Sequence, residues 1–233
     1  MSELISADSI VIELTRRCNL SCDHCMRGEP ESIDIADSTL EALFSRVERI
    51  GSLSLTGGEP SLVPDRIYKI IELIKRYRVD VSSFYIATNA FQITDDFIRV
   101  CMELYLACTD NEVSQVHISN SPYHINGGIA VERLMLLKFV SYKYDDKTLQ
   151  RFGDALIRQG RSGTGRENNV DNFEVNGKEV SNGDLYLNCY GDIIAGCDFS
   201  FETQRSDRNC FICKVENLSA RVIENWQRST SDE

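Results

Sequence analysis

Three cysteines near the start of the chain, Cys18, Cys22 and Cys25, constrain the fold and the chemistry more than any other feature. Their C-x3-C-x2-C spacing puts three thiolates in one loop, directly after a short apolar run. A cubane iron–sulfur cluster has four irons and is usually held by four cysteines, so three ligands leave one iron open for chemistry. Zinc is the alternative, since three thiolates completed by His24 or by a more distant residue would also form a metal site.

Length, charge and cysteine content restrict the class of protein. The 233 residues exceed the usual size of one domain but fall in the range of a single α/β barrel. Nine cysteines, with no basic signal-peptide start and no apolar run of about 20 residues, predict a cytoplasmic protein with reduced, metal-binding thiols. The formal net charge of −11 disfavours nonspecific binding to nucleic acid or to an anionic membrane, and it favours a peptide or small-molecule substrate.

Strand and helix patterns alternate along the first two thirds of the chain. Short apolar runs predict strands over residues 9–14, 53–56, 83–87 and 113–119. Apolar stripes predict helices over residues 37–50, 64–77, 94–107 and 146–159, whereas 134–141 fits either a helix end or a fifth strand. This alternation predicts a barrel of parallel strands, in which the loops at the carboxyl ends of the strands carry the chemistry.

A second motif, Gly57-Gly58-Glu59-Pro60, directly follows the second predicted strand. Glycines at a strand end let the backbone approach a ligand, and Glu59 adds a fixed acceptor beside it. An ordinary turn before a helix is the alternative for this segment alone. Because the cysteine loop and this loop each follow a predicted strand, one after the other, a functional loop is favoured.

Together the two motifs resemble those of the radical S-adenosylmethionine (radical SAM) family. In that family the cysteines hold a [4Fe-4S] cluster whose open iron binds the amine and carboxylate of SAM. Reductive cleavage of SAM then gives a 5′-deoxyadenosyl radical that removes hydrogen from a substrate. The resemblance implies a partial (β/α)6 TIM-like barrel, catalytic iron ligation by Cys18, Cys22 and Cys25, and an electron donor such as flavodoxin or ferredoxin.

The resemblance also assigns cofactor-binding roles to single residues of the barrel. They are His24, Gly57, Gly58, Glu59, Pro60, Asn89, Ser119 and Arg161. Ser119 matches a contact to the ribose or carboxylate of SAM only in part, because the chain continues with Asn120-Ser121 where many relatives have Asp-Gly. Arg161 is expected either near the SAM carboxylate or as an anchor for the next segment, and a solvated linker arginine is the alternative.

The composition changes at about residue 167, so we expect a radical SAM barrel over 1–166 and a small β extension over 167–233. Asn176-Gly177 and Tyr190-Gly191 are hairpin turn signals within this extension. An amphipathic segment over 219–226 follows them.

Four further cysteines, Cys189, Cys197, Cys210 and Cys213, lie in the extension with the spacing C-x7-C-x12-C-x2-C. Such clustering in a reduced protein predicts one closed metal site. The arrangement resembles the SPASM and twitch extensions of radical SAM enzymes, which implies an auxiliary iron–sulfur cluster. Structural zinc is the alternative.

The expected function is therefore SAM cleavage followed by hydrogen abstraction from a peptide or protein side chain or from a small-molecule precursor. A glycyl-radical activase would share both barrel motifs, but it would not need the cysteine-rich extension. A non-catalytic zinc-binding interaction protein would explain both cysteine groups but not the Gly57–Pro60 loop.

Overall fold

The computed structural model of the chain describes residues 4–119, 128–141 and 156–231. The strands are β1 Ile5–Thr15, β2 Val47–Gly57, β3 Asp80–Thr88, β4 Gln115–Ile118, β5 Val140–Ser141, β6 Glu174–Asn176, β7 Glu179–Ser181, β8 Leu185–Leu187, β9 Asp192–Ala195 and β10 Phe211–Lys214. The helices are α1 Asp37–Phe44, α2 Pro64–Tyr77, α3 Asp95–Ala107, α4 Gly128–Leu134, α5 Phe201–Ser206 and α6 Ala220–Ser231. None of the described helices is long and apolar enough to cross a membrane.

Strands β1 to β5 lie side by side in chain order, and each neighbouring pair is parallel. A helix follows each of the first four strands, which confirms the predicted α/β class and the barrel-type order. Thr15 pairs with Gly57, and Thr88 pairs with Ile118. The carboxyl ends of these strands therefore lie at one edge of the sheet, where their following loops meet.

The segment from residue 167 onward adds strands to this same sheet. Strand β8 pairs parallel with β1, in the register Ile10 to Leu185, and the full order is β10-β9-β8-β1-β2-β3-β4-β5. Strands β8 and β9 form the predicted hairpin around Tyr190-Gly191, and β6 and β7 form the one at Asn176-Gly177. Residues 167–231 therefore share the sheet and the main apolar core of the barrel.

Two apolar clusters lie on opposite faces of this sheet. Ile10 and Ile12 of β1 belong to the main core, whereas Val11 between them packs with Tyr186 and Ile194 in a second, smaller cluster. This alternation follows from the period of two residues along a strand.

The predicted helices over 64–77 and 94–107 are confirmed as α2 and α3. The helix predicted over 37–50 is wrong beyond Phe44, because residues from Val47 onward form β2. Ile5 pairs with Val47 and Ser6 with Arg49, so the register shifts by one residue at this point. A bulge of this kind lets Val47 and Ile50, three residues apart, both be buried, and their spacing imitates a helix.

The apolar run over 134–141 contains both structures that the sequence allowed, a helix end and a fifth strand. Helix α4 ends at Leu134, and β5 is Val140–Ser141. Most of the helix predicted over 146–159 lies outside the described residues. Its last part, 156–159, is not helical, because Ile157 forms a bridge with Arg166. Helix α5 and strand β10 were not predicted.

Candidate functional site

A cavity of about 350 Å³ opens at the carboxyl ends of the parallel strands. It is lined by the three cysteines of the first motif and by every predicted cofactor-binding residue except Pro60. The two motifs, 32 residues apart between Cys25 and Gly57, thus meet around one space.

The cysteine loop is closed at its base by backbone hydrogen bonds. Arg16 N–H donates to the Ile33 carbonyl at 2.8 Å, and Glu31 N–H donates to the Arg16 carbonyl at 3.0 Å. Within the loop, Cys25 N–H donates to the Cys22 carbonyl at 3.1 Å. These bonds hold the three thiols at the mouth of the barrel rather than on a free surface loop.

All three thiols are free and half-buried. Burial raises the pKa of Cys18, and the nearby thiols of Cys25 and Cys22 raise it further. Burial and the Cys25 thiol also raise the pKa of Cys22, whereas the charge of Arg161 lowers it. The thiols are thus close enough to repel one another as thiolates, which a bound metal would relieve.

A cluster with three protein ligands fits this arrangement. The described residues contain no group of three or more His, Cys, Asp or Glu side chains around a single ion position. Three thiolates that each bind a different iron need not converge on one ion. The half-buried thiols on one cavity wall therefore suit a multi-iron cluster better than a lone zinc ion.

Gly57 and Gly58 are required by the packing of the two loops against each other. A Cβ atom on Gly58 would lie 2.1 Å from the Arg17 carbonyl oxygen, and one on Gly57 would lie 2.1 Å from the Thr15 carbonyl oxygen. Gly58 N–H donates to the Thr15 carbonyl at 2.7 Å. The two glycines were predicted to let the backbone approach a ligand. In the structure they let it approach the backbone of Thr15 and Arg17, at the start of the cysteine loop.

Glu59 is a buried carboxylate that the neighbouring loops hold in place. Its Oε1 accepts hydrogen bonds from Ser61 N–H at 3.0 Å and Thr88 Oγ1 at 2.5 Å, and its Oε2 accepts one from Asn89 N–H at 2.8 Å. Burial raises the pKa of Glu59, and these three hydrogen bonds oppose that shift. A carboxylate has about four acceptor positions, and these bonds occupy three of them.

The other predicted residues lie around the same space. Asn89 Nδ2 donates to Asn19 Oδ1 at 2.9 Å, next to Cys18. Ser119 N–H donates to the Thr88 carbonyl at 2.8 Å, which fixes the end of β4. Burial lowers the pKa of His24, and the charge of Arg161 lowers it further.

Arg161 fastens the segment after the barrel onto the cysteine loop. The backbone N–H of Arg161 donates to the Cys25 carbonyl at 2.9 Å, and its side-chain Nη1 donates to Ser21 Oγ at 2.8 Å. Gly160, at φ +57°, packs so tightly that a Cβ atom would lie 2.5 Å from Gly28 N. The anchoring role is thus present in the structure, while Arg161 also lines the cavity.

Sequence reasoning missed several residues of this site. Arg16, Arg27 and Phe201 line the cavity, and all three are at least nine-tenths buried. Glu13, in the apolar strand β1, is completely buried and pairs with Arg16. Glu13 is a charged residue within an apolar run that predicts a buried strand. This was the signal that could have revealed the pair.

The four cysteines of the C-terminal segment do not come together. Cys189 and Cys213 belong to the main core, whereas Cys197 and Cys210 belong to the second cluster on the other face of the sheet. The two pairs thus belong to different apolar clusters of the described residues. The closed site, with an auxiliary iron–sulfur cluster or with zinc, therefore stays a prediction.

Cys189, Cys210 and Cys213 are buried, and Cys197 is half-buried. Cys189 Sγ donates to the Glu13 carbonyl at 3.3 Å, and Cys210 Sγ donates to the Asp207 carbonyl at 3.2 Å. Burial raises the pKa of Cys210 to about 11 and the pKa values of Cys197 and Cys213 to about 12. Thiols in such surroundings contribute to packing when protonated, and as thiolates they can ligate a metal.

Comparison with known proteins places the matched region in the barrel. The sequence model of the Radical SAM superfamily matches residues 12–119. GTP 3′,8-cyclase of Campylobacter lari is 36% identical over 90 residues, which is 36% of this chain and 27% of that protein. Mycofactocin maturase MftC of Mycobacterium tuberculosis is 26% identical over 121 residues, which is 50% of this chain and 29% of that protein.

Among solved structures, native anSMEcpe with bound AdoMet and the Cp18Cys peptide aligns with a TM-score of 0.59. The alignment covers 97% of this chain and 82% of that chain at 12% sequence identity, so it shows a shared fold. The chain spans less than a third of the length of the two curated relatives.

Proposed function

Since this chain belongs to the radical SAM superfamily through residues 12–119, we propose that it cleaves S-adenosylmethionine reductively and uses the resulting 5′-deoxyadenosyl radical to remove hydrogen from a substrate. One observation carries the proposal: the cysteine triplet and the Gly57–Glu59 loop line one cavity of about 350 Å³ at the carboxyl ends of the parallel strands. When bound, a [4Fe-4S] cluster and SAM would supply the electron transfer and the radical chemistry.

Different residues of the chain would hold the cluster and SAM. Cys18, Cys22 and Cys25 would provide three thiolate ligands, which leaves an iron open to the cavity. The remaining acceptor position of the buried Glu59 would receive the amino group of SAM in a charge-assisted hydrogen bond. Because Gly58 and Glu59 donate backbone hydrogen bonds to the cysteine loop, the two cofactor sites are held in fixed register.

Asn89, Ser119 and Arg161 complete the proposed SAM site. Asn89 and Ser119 lie at the ends of β3 and β4, and both line the cavity. These polar side chains suit the ribose and carboxylate of SAM. Arg161, fixed by its bond to Cys25, brings a positive charge to the rim of the same space.

The substrate would be a peptide or protein side chain or a small molecule. A peptide is favoured by two comparisons, the maturase MftC and the structure of anSMEcpe with a bound peptide. The GTP cyclase relative favours a small molecule. An electron donor such as flavodoxin or ferredoxin would complete the system.

Anaerobic reconstitution tests the proposal. Wild-type protein should bind at least about four irons per chain and form 5′-deoxyadenosine from SAM and dithionite. A variant in which Cys18, Cys22 and Cys25 are all replaced by Ala should lose about four irons and all 5′-deoxyadenosine formation. Replacing Cys101 and Cys108 by Ala is the matched control, because these two thiols are buried in the main core away from the cavity. Undiminished 5′-deoxyadenosine formation in the triple variant would refute the proposal.

The same measurements distinguish the alternatives. A zinc-binding interaction protein would bind zinc and form no 5′-deoxyadenosine. A glycyl-radical activase would form 5′-deoxyadenosine and, when mixed with its target protein, a glycyl radical with a doublet in electron paramagnetic resonance.

A further inference from the structure

Three arginines line the cavity, and only two of them are paired with carboxylates of the described residues. Arg16 pairs with Glu13 and Glu31, and Arg161 pairs with Glu29. Arg27 forms no ion pair in the described part of the chain. The chain has 36 acidic and 25 basic residues, so carboxylates are plentiful elsewhere on it.

Arg27 is nevertheless buried and held in place. It is 7% exposed, and its Nη1 donates to the Phe199 carbonyl at 2.6 Å. Its guanidinium carbon lies 4.9 Å from the centre of the Tyr186 ring. A carbonyl and an aromatic face orient the guanidinium, but neither neutralises its charge. Burying a charge without a counterion costs free energy. An anionic group on a bound ligand would offset this cost at Arg27.

We infer that Arg27 binds an anionic oxygen group, a carboxylate or a phosphate, of the substrate. This inference rests on the proposed function and deepens it, because it names the charge that the substrate carries at this side of the cavity. The guanidinium keeps donors besides Nη1, and its fork matches either group with two parallel hydrogen bonds.

The sheet order favours the substrate over SAM as the source of the anion. Arg27 packs on Tyr186 of β8, on one side of β1. Gly57, Asn89 and Ser119 follow or end β2, β3 and β4, on the other side of β1. A ligand held by those three residues and the cysteine loop would leave the β8 side of the cavity to a second molecule.

The iron site is a rival counter-charge, because Arg27 is two residues from Cys25. If the cluster neutralised Arg27, reconstitution would abolish any affinity for a free anion. The experiment therefore compares the protein before and after iron is added.

The test measures thermal unfolding midpoints in millimolar acetate or inorganic phosphate, with chloride at equal ionic strength and neutral acetamide as references. An anion that binds the folded state alone raises the midpoint. Reconstituted wild-type protein should show a rise with acetate or phosphate that chloride and acetamide do not give. The larger of the two responses identifies the substrate group as a carboxylate or a phosphate.

Three variants accompany the wild type. Arg27→Gln should lose the anion response, and Arg27→Lys, which keeps the charge but not the fork, should retain part of it. Arg208→Gln is the matched control, because Arg208 also lies over an aromatic ring, that of Phe211, but on the exposed surface. It should respond like the wild type. If Arg27→Gln does not fold, the weaker response of Arg27→Lys carries the test.

Several results would overturn the inference. The first is an equal rise of the midpoint with the anion in the wild type and in Arg27→Gln, or in Arg27→Lys where Arg27→Gln does not fold. The second is no rise in the wild type, and the third is loss of the rise on reconstitution. SAM binding, measured by equilibrium dialysis, provides the last check: weaker SAM binding in Arg27→Gln together with competition between SAM and the probe anion would assign the anion to SAM. The rise of the unfolding midpoint with an anion does not depend on turnover. A wild type that forms no 5′-deoxyadenosine would therefore refute the proposed function, while the anion measurement would still test Arg27 separately.

Discussion

Arg16 donates from Nε to Oε1 of Glu13 at 2.7 Å, and both side chains are completely buried. The Glu13 carboxylate also accepts from the Tyr186 hydroxyl at 2.7 Å, and Arg16 Nη2 donates to Gln204 Oε1 at 2.6 Å. Tyr186 and Gln204 belong to the C-terminal segment, whereas Arg16 begins the cysteine loop. The pair thus connects the loop that carries Cys18 to residues more than 170 positions away.

Replacing Glu13 by Gln should lower the free energy of unfolding by roughly 3–5 kcal/mol, because it leaves the buried guanidinium of Arg16 without its nearest counter-charge. Urea denaturation measures this loss. Asp96→Asn is the control, since it breaks an exposed pair with Arg99 and should cost less than ~1 kcal/mol. Equal stability of Glu13→Gln and the wild type would show that the hydrogen bonds alone, and not the charge, hold this network.

Replacing Gly58 by Ala should reduce iron content and SAM affinity together. The added methyl group would meet the Arg17 carbonyl oxygen at 2.1 Å, so the cysteine loop must move. Overpacking of this kind costs about 1–3 kcal/mol. Iron counting after reconstitution and equilibrium dialysis with SAM measure the two effects.

Gly163→Ala is the control for this prediction, because a Cβ atom there meets nothing within 4 Å. If Gly58→Ala kept its full iron content and lost only SAM affinity, the glycine would serve the ligand and not the packing of the two loops.

The positions of the two barrel motifs could be predicted because each depends on local patterns. Apolar runs marked β1 and β2, and parallel strands place their carboxyl ends at one edge, so Cys18 and Gly58 had to meet. The pairing of β8 with β1 could not be predicted in the same way. The run Leu185–Leu187 indicates a strand, but nothing local identifies a partner that lies 175 residues earlier in the chain.

The cysteine spacing in the C-terminal segment is compatible with two different geometries. In a turn, a C-x2-C pair converges on one metal, as in the zinc-binding motifs. In a strand, residues three positions apart point to opposite faces. Cys210 precedes β10, and the pairing of β10 with β9 shifts register between Phe211 and Cys213, so alternation along the strand does not separate the two thiols.

Glu59 should make both stability and SAM binding depend on pH. Its pKa in the folded protein is raised by burial, so its contribution to stability is fully present below the ordinary pKa of Glu, about 4.3, and is lost as the pH rises through the raised value. The free energy of unfolding of the wild type should therefore fall relative to that of Glu59→Gln over this window. Urea titrations of both proteins at a series of pH values measure the difference.

SAM binding should change in the opposite direction with pH, because the amino group needs the ionised carboxylate. Wild-type affinity for SAM should fall as the pH decreases through the raised pKa of Glu59, above the range of an ordinary Glu. Glu59→Gln should bind SAM weakly at every pH. A wild-type affinity that stays constant down to the ordinary range would show that Glu59 does not contact the amine.

Replacing Cys210 and Cys213 by Ala should remove about four irons, or one zinc, from the reconstituted protein if the predicted closed site forms. In the structure the two thiols belong to different apolar clusters, so a shared metal would require this segment to rearrange. Both are buried, and the small cavities left by the substitutions should lower the unfolding midpoint without affecting 5′-deoxyadenosine formation. Metal counting beside the Cys18, Cys22 and Cys25 triple variant provides the scale, because that variant should lose about four irons. Loss of about four irons, or of one zinc, from the C-terminal double variant would confirm the closed site, whereas an unchanged iron and zinc content would refute it.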